Sequence, residues 1–445
     1  MKLLFISLGC DKNLVDSEEM LGMLSSRGYE ITDDETQAQV IVINTCCFIH
    51  DAKEESIQTI LEMAEYRKSG SCRALLVTGC LAQRYQEEIR QEIPEVDAVL
   101  GTTGFPEILQ ALESCLEGKP YESYPDVNAL PLVEEERILT TGGHYGFLKI
   151  AEGCEKHCTY CIIPRLRGSY RSVPMERLLK QARSMVSQGV KELILVAQET
   201  TLYGVDLYGE KSLHVLLEKL CEIPGLVWIR IQYCYPEEIY PELIDVMAKE
   251  KKICHYLDLP IQHASDRILR RMGRRTSREQ LVSLIRTLRE RIPDIILRTT
   301  LITGFPGETR EDHEELMEFV NDMEFDRLGV FTYSQEEDTP AAEMPDQIDE
   351  AVKEARQAEL MELQQEISLE KGQARIGQKM LVMIEGKVAD ENAYVGRTYG
   401  DAPKVDGYIF VQTGELLMSG DFVEVRVTGA LEYDLIGEIW DEYTE

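Results

Sequence analysis

Apolar residues come in short blocks through the first 138 positions. Residues 3–8 form one such run, and residues 40–43 are continuous and β-branched, as a strand buried on both faces must be. Residues 75–78 and 98–100 repeat the pattern. Helical spacing fills the gaps, over residues 18–27, 52–68, 84–92 and 106–116. A strand–helix repeat of this kind predicts an open parallel α/β sheet. From about 120 to 143, Pro120, Pro125, Pro131, the acidic run Glu134-Glu135-Glu136 and Gly142-Gly143 mark a linker.

The alternation resumes from about 144 to 340. Strand candidates lie at 147–150, 193–196, 227–231, 256–259, 295–298 and 328–331, with helical patterns between them. Six βα units predict a partial (β/α)6 barrel rather than a complete one of eight. Thr309 with Asp312 has the pattern of a capping box. Residues 346–373 read as one amphipathic helix, with Ile348, Val352, Ala355, Leu360, Leu363 and Ile367 on its apolar face and Gly372 as its stop. Beyond 375 the period shortens to two. Residues 380–384, 407–411 and 422–427 are strands, and the segment predicts a small antiparallel β-barrel. The chain therefore divides into 1–138, 139–373 and 374–445.

A length of 445 residues suits about three domains of roughly 150 residues each. An apolar fraction of 44% excludes wholesale disorder. With 47 Lys and Arg against 80 Asp and Glu, the net charge is −33. That argues against a general nucleic-acid coat, leaves room for a local basic groove, and favours a basic partner. No apolar run is long enough to span a bilayer. The opening residues 1–6 lead into Gly9-Cys10-Asp11-Lys12-Asn13 without a cleavage signal, so they read as a strand and the protein is expected in the cytoplasm.

The twelve cysteines are too sparse for a disulfide scaffold, and none follows Cys254. In a reducing compartment such clusters suggest metal ligands. The sharpest is Gly153-Cys154-Glu155-Lys156-His157-Cys158-Thr159-Tyr160-Cys161. Three thiols at C-x₃-C-x₂-C, just after a strand, can wrap three corners of an iron–sulfur cubane and leave its fourth iron open. A zinc site is the alternative, but it needs a fourth ligand and only His157 is near.

A second constellation is dispersed. Cys10, Cys46 and Cys80 each follow a strand, 36 and 34 residues apart. Ligands of open α/β sheets bind beyond the carboxyl ends of the strands. Three neighbouring strands would present three thiols to one point, with Gly9 and Gly79 allowing close backbone approach. The other reading is three buried packing thiols. That packing reading serves for Cys72, Cys115, Cys221, Cys234 and Cys254, which lack ligand spacing.

The C-x₃-C-x₂-C loop resembles that of the radical S-adenosylmethionine (radical SAM) enzymes. The stretches Gly9-Cys10-Asp11-Lys12-Asn13-Leu14-Val15-Asp16-Ser17-Glu18, Asn44-Thr45-Cys46 and Val77-Thr78-Gly79-Cys80-Leu81-Ala82-Gln83-Arg84 are similar to the N-terminal domain of the methylthiotransferases within that superfamily. The resemblance runs the length of the chain: N-terminal α/β domain, radical SAM barrel, C-terminal TRAM barrel. It departs at Asp11, where many relatives have Pro, and at Cys47, where they usually have Gly.

The resemblance implies two [4Fe–4S] clusters, on Cys154, Cys158 and Cys161 and on Cys10, Cys46 and Cys80. It implies SAM as cosubstrate, chelated by the open iron and cleaved to a 5′-deoxyadenosyl radical. Tyr160 would pack on the adenine. Gln198 and Arg298, by their position at strand ends of the barrel, are the other expected SAM contacts, with ordinary barrel-mouth polarity as the alternative. The second cluster would carry the sulfur that is methylated and transferred. An electron donor such as flavodoxin or ferredoxin is expected. The sulfur donor is not indicated.

The family splits by substrate, between tRNA adenosine and an aspartate β-carbon of ribosomal protein S12. Residues 257–265, 232–236 and 394–407 look like the protein-modifying branch. Charge supports it independently: from Arg375 onward there are six cations against fourteen anions, a net of −8. Phosphates need a positive groove with stacking aromatics. Tyr394, Tyr399, Tyr408, Phe410 and Trp440 could stack, but the field suits a basic protein. Two arginine groups, Arg165, Arg167 and Arg171, and Arg270, Arg271, Arg274 and Arg275, are candidates for a local anion-facing rim. A non-catalytic iron–sulfur protein docking on ribosomes or RNA is the alternative from another class.

Overall fold

The computed structural model describes residues 1–134 and 136–440. Glu135, Asp441, Glu442 and Glu445, which enter the acidic tallies above, lie outside the described residues. The first sheet has six parallel strands: β1 (Lys2–Ser7), β2 (Glu30–Ile31), β3 (Val40–Thr45), β4 (Ala74–Gly79), β5 (Ala98–Leu100) and β6 (Tyr121–Ser123), in the order β2-β1-β3-β4-β5-β6. Every residue of β3 and β4 is buried, which is why both read as unbroken apolar runs. Ser7 pairs with Asn44, and Thr45 with Gly79. This register brings the carboxyl ends of β1, β3 and β4 to one edge. The edge strands β2 and β6 were not expected. They are two and three residues long, too short to show a period, and β6 lies inside the stretch read as linker.

The second sheet is built from β7 (Tyr145–Lys149), then β10 (Glu192–Val196), β11 (Trp228–Ile231), β12 (Ile253–Asp258), β13 (Ile296–Thr303) and β14 (Arg327–Thr332). All are parallel, in the order β14-β13-β12-β11-β10-β7. These are the six expected strands. Between β7 and β10, β8 (Ala151–Glu152) and β9 (Arg171–Ser172) pair antiparallel and tie off residues 153–170, which carry the cysteine motif. The outer face of the large sheet packs Leu193, Leu195, Ile229, Ile231, Leu257 and Leu297 against helices. The inner face carries Phe147, Ile194, Val196, Trp228, Tyr256 and Ile296. The capping box of Thr309 and Asp312 opens the helix Arg310–Met323 as expected.

The third unit is a closed barrel of β15 (Lys379–Lys387), β16 (Ala393–Arg397), β17 (Ile409–Gln412), β18 (Phe422–Ala430) and β19 (Leu435–Ile439). Its pairings are antiparallel except for one, β17 beside β19. Residues 397–406 leave this barrel and enter the inner face of the six-stranded sheet at the amino-terminal ends of its strands. Arg397 Nη2 lies 2.7 Å from Glu192, which accepts from Arg230 Nε at 2.8 Å, and Arg230 Nη1 donates to the Tyr399 carbonyl at 2.6 Å. Tyr256 donates to Asp406 at 2.7 Å, Asp406 pairs with Arg298 at 3.3 Å, and Asp401 pairs with Arg327. Phe422 meets Trp228 edge-on, with ring centroids 4.8 Å apart.

Two sequence expectations change. Tyr394 is buried in the core of the five-stranded barrel and Tyr399 donates to the Asp294 carbonyl, so neither is free to stack on a base. The helix Glu350–Gln373 buries Lys353, Arg356, Leu360, Gln364 and Ile367, whereas Val352 is exposed. Its buried stripe is half polar because those side chains reach specific acceptors: Lys353 donates to the Tyr333 carbonyl, Arg356 to Glu308 and Gln364 to the Phe325 carbonyl. Hydrophobic spacing alone therefore assigned the wrong face in its first turns.

Burial raises the pKa of Glu192, but Arg397 and Arg230 outweigh it and hold the carboxylate below its ordinary range. Its contribution to stability is present above the unfolded carboxylate pKa and is lost as pH falls through the folded value. Glu192→Gln removes the carboxylate paired with buried Arg230 and leaves Arg397 only Glu385, and should cost about 3–5 kcal/mol. Urea denaturation should show the midpoint of the variant well below that of the wild type at pH 7, with the gap narrowing in acid.

Candidate functional site

The loop bearing Cys154, Cys158 and Cys161 is held at both ends and in its middle. The Cys154 N–H donates to the Gly168 carbonyl at 3.1 Å, the Thr159 N–H to the Met272 carbonyl at 3.0 Å, and the Thr159 carbonyl accepts from the Ala341 N–H at 2.9 Å. Cys154 and Cys158 are buried and Cys161 is half-buried. Burial, with Cys158 nearby, pushes Cys154 up to about 11, and Cys161 is raised by burial and by the other two thiols. The Tyr235 hydroxyl lies 3.3 Å from Cys158 Sγ, and the Arg274 guanidinium stacks 4.3 Å above the Tyr235 ring. His157, the ligand a zinc site would need, is exposed.

The second trio forms at the aligned carboxyl ends of β1, β3 and β4. Cys46 and Cys80 are buried and Cys10 is exposed. Burial, then the Cys80 and Cys10 thiols, push Cys46 up to about 12. Cys80 is raised by burial, with Arg167 opposing. Gly9 and Gly79 have φ of +89° and +96°, where a side chain is strained. A Cβ on Gly9 would stand 2.9 Å from Cys46 Sγ, so glycine is what lets the Cys10 turn close over Cys46. Cys47 is buried in the same apolar cluster as Cys80 and is raised by burial and by the Cys80 and Cys46 thiols, so it stands close to the trio as well.

Among the described residues, no three His, Cys, Asp or Glu side chains are gathered tightly enough to hold a single metal ion. Each trio instead brings thiols within electrostatic reach of one another, beside Gly9 and Gly79 in one and Tyr235 in the other. That donor set fits an iron–sulfur cubane, which is wider than an ion and is held by thiolates. Coordination requires the thiolate, so metal binding at these raised thiols releases protons.

The expected SAM contacts are distributed as follows. Tyr160 flanks the loop and meets Phe305 edge-on at 6.4 Å. Gln198 accepts the Gly153 N–H at 2.9 Å and donates to Glu152 at 2.8 Å, so it braces the cysteine loop. Arg298 stands on the inner face with its guanidinium committed to Asp258 at 2.8 Å and Asp406 at 3.3 Å. The arginine rim also changes. Arg167 is buried at 2% exposure within ion pairs, Arg171 donates to the Arg167 and Ser169 carbonyls, and Arg274 is buried over Tyr235. Arg165, Arg270 and Arg275 are the exposed members.

Several side chains join the two trios, among them Arg167, which the sequence offered only for an anion-facing rim. Arg167 Nη2 lies 3.5 Å from Cys80 Sγ and 2.6 Å from Asn13 Oδ1, while its Nη1 pairs with Asp16 at 2.8 Å and Glu152 at 3.4 Å. Lys149 neutralises the same two carboxylates. Residues 232–236, flagged above only by resemblance, run between the trios. Tyr235 touches Cys158, whereas the Tyr233 hydroxyl donates to Asp11 at 3.0 Å and its ring carries Lys12 Nζ 3.3 Å from the centroid. Buried Glu199 lies near Cys154, and burial lifts it to about 7. Two residues of this site, His157 at 51° and Tyr233 at 60°, have positive φ, as do Gln262 at 71° and turn residues elsewhere such as Glu324, Asp390 and Lys404. Such strain concentrates at functional sites, and nothing in residue spacing announces it. Cys72, Cys115, Cys234 and Cys254 lie in apolar cores, with Cys221 packed against one.

The chain matches three family descriptions in order: Uncharacterized protein family UPF0004 over residues 2–101, the Radical SAM superfamily over 148–320 and the TRAM domain over 376–439. Full-length relatives are similar throughout. The "Ribosomal protein uS12 methylthiotransferase RimO" of Lachnoclostridium phytofermentans is 67% identical over 98% of this chain and 99% of its own length. The proteins of the same name from Pelotomaculum thermopropionicum and Clostridioides difficile are 51% and 48% identical, over 98% and 99% of this chain and 99% of each relative. Among solved structures, the radical SAM methyltransferase TsrM from Kitasatospora setae, with cobalamin and a [4Fe–4S] cluster bound, superposes with a TM-score of 0.55 at 14% identity, over 76% of each chain, which speaks for the fold alone. With such identity sustained over its whole length, the chain belongs to the RimO family of radical SAM methylthiotransferases.

Proposed function

We propose that this protein transfers a methylthio group to ribosomal protein uS12, at the β-carbon of an aspartate, in the cytoplasm where ribosomes are made. One observation carries the reading. Two cysteine trios, each suited to a cubane, stand at the carboxyl ends of two parallel sheets and are joined through Arg167 and the 232–236 segment, in a chain 67% identical to a named uS12 methylthiotransferase.

In this reading Cys154, Cys158 and Cys161 hold one [4Fe–4S] cluster, and Cys10, Cys46 and Cys80 hold the other. Bound with SAM, an iron–sulfur cofactor supplies the one-electron chemistry that an unactivated C–H bond requires. The chain's own residues bind and orient. Gln198 fixes the Gly153 N–H and thereby the start of the cysteine loop. Tyr160 offers a flat apolar face beside that loop, in position to cover an adenine ring. Tyr233, Asp11 and Lys12 bring the N-terminal sheet against the mouth of the barrel and limit access of water. Arg298, its charge already met by Asp258 and Asp406, braces the interior.

Charge favours the protein substrate over tRNA. Of the fourteen anions beyond Arg375, Glu385, Asp401 and Asp406 are spent on arginines inside the fold. Asp390, Glu391, Glu415 and Glu432 remain exposed on the five-stranded barrel, a surface that attracts a basic protein and repels phosphate.

Deleting the gene should remove the methylthio mass increment from uS12 while leaving bulk tRNA unchanged by mass spectrometry. The converse pattern would transfer the assignment to tRNA. Anaerobic incubation with SAM and a reductant, dithionite or flavodoxin, should yield 5′-deoxyadenosine and methionine. A chain that binds iron yet yields neither is a non-catalytic iron–sulfur protein. Replacing Cys10, Cys46 and Cys80 together by Ala should remove about half of roughly eight irons per chain. Unchanged iron content in that variant would refute the second site.

A further inference from the structure

We propose that Arg167 is a positioning residue that sets the reduction potential of the cluster held by Cys10, Cys46 and Cys80, and that Glu152 governs how much of its charge that cluster feels. The inference rests on the two-cluster reading above.

Arg167 follows the first cysteine loop in sequence, yet its guanidinium lies beside the second trio. Nη2 is shared between Asn13 Oδ1 at 2.6 Å and Cys80 Sγ at 3.5 Å. Asn13 is itself fixed, donating to the Leu8 and Thr45 carbonyls at 2.9 Å each. On the other side, Nη1 meets Asp16 at 2.8 Å and Glu152 Oε2 at 3.4 Å. Glu152 Oε1 accepts from Gln198 at 2.8 Å, and Gln198 accepts from the N–H of Gly153, the residue before Cys154, at 2.9 Å. An unbroken path of polar contacts thus runs from Cys80 of one trio to the backbone at Cys154 of the other.

Hydrogen bonds to cluster sulfur and nearby positive charge favour the reduced, more negative state and raise the potential. Arg167 supplies both. It is buried, as are Asp16, Glu152 and Lys149, so solvent screens these charges little. The two cations face the two carboxylates, and buried Glu19, lifted to about 7 chiefly by burial, stands beside Lys149 and Asp16. Removing the Arg167 charge makes the group more negative, and removing the Glu152 charge makes it more positive. The two changes therefore act on the cluster with opposite sign, which a purely structural role for either residue would not produce.

The test is an EPR-monitored potentiometric titration of the reconstituted full-length chain, with signals assigned in the Cys154→Ala, Cys158→Ala, Cys161→Ala background. Arg167→Gln should move the second cluster to a more negative potential and Glu152→Gln to a more positive one. Arg167→Lys keeps the charge but not the fork that serves Cys80 and Asn13 together, so its value should fall between wild type and Arg167→Gln. Shifts of the same sign in the two Gln variants, or no shift, would overturn the proposal. Where a Gln variant does not fold, Arg167→Lys decides: a potential equal to that of the wild type overturns it. A wild-type chain holding only half the expected iron would instead overturn the two-cluster reading, and the inference with it.

Discussion

Arg167 is where the N-terminal sheet and the central sheet are electrically joined. Its guanidinium is removed from water, which is tolerable only because Asp16 from the helix that follows β1 and Glu152 from the short strand β8 both face it, with Lys149 facing the same two carboxylates. A buried set of this kind adds little net stability compared with a well-packed apolar one, but losing any one member leaves an uncompensated charge. It therefore acts as a register pin. The two sheets fit in the one arrangement that satisfies all four charges, and that arrangement places the carboxyl ends of both sheets face to face.

The mouth so formed is shaped by backbone as much as by side chains. Gly9 and Gly79 let the second trio close, and His157, Tyr233 and Gln262 hold turns that L residues adopt at a cost. Tyr235 touches Cys158 of one trio, while Tyr233, two residues before it on the same outgoing loop, touches Asp11 and Lys12 beside Cys10 of the other. A single short segment thereby measures the gap between the two sites, and any substrate that reaches both must fit beside it.

The sequence was most legible where chemistry is local. Three cysteines within eight residues, and three more at successive strand ends, can be read from spacing because the chain itself sets their separation. The six central strands and four of the six N-terminal ones were legible for a similar reason: continuous burial leaves an unbroken apolar run. Arg167 was noticed but misplaced, on an anion-facing rim, because its partners Asn13 and Asp16 are distant in sequence and a buried arginine looks like a surface one until its counter-charges are known. Lys353, Arg356 and Gln364 failed in the same way, as polar residues on a buried stripe whose acceptors are carbonyls and a carboxylate on other elements. Residues 394–407 were noticed only as a family likeness, though their physical work is to fill the inner face of the central sheet.

That last segment bears on how such enzymes can diverge. Arg397, Asp401 and Asp406 belong to the C-terminal barrel but neutralise Glu192, Arg327 and Arg298 of the central one. The barrel is thus not an interchangeable module. Exchanging it wholesale for one of another specificity would leave charged side chains stranded in the heart of its neighbour unless the donor brought the same three ions at the same places. A change of substrate is more readily reached by repainting the barrel's outer surface, charge by charge, while the inserted segment stays fixed. The face that carries the inserted segment is fixed by its ion pairs, and the outer face of the same small domain is the one free to evolve.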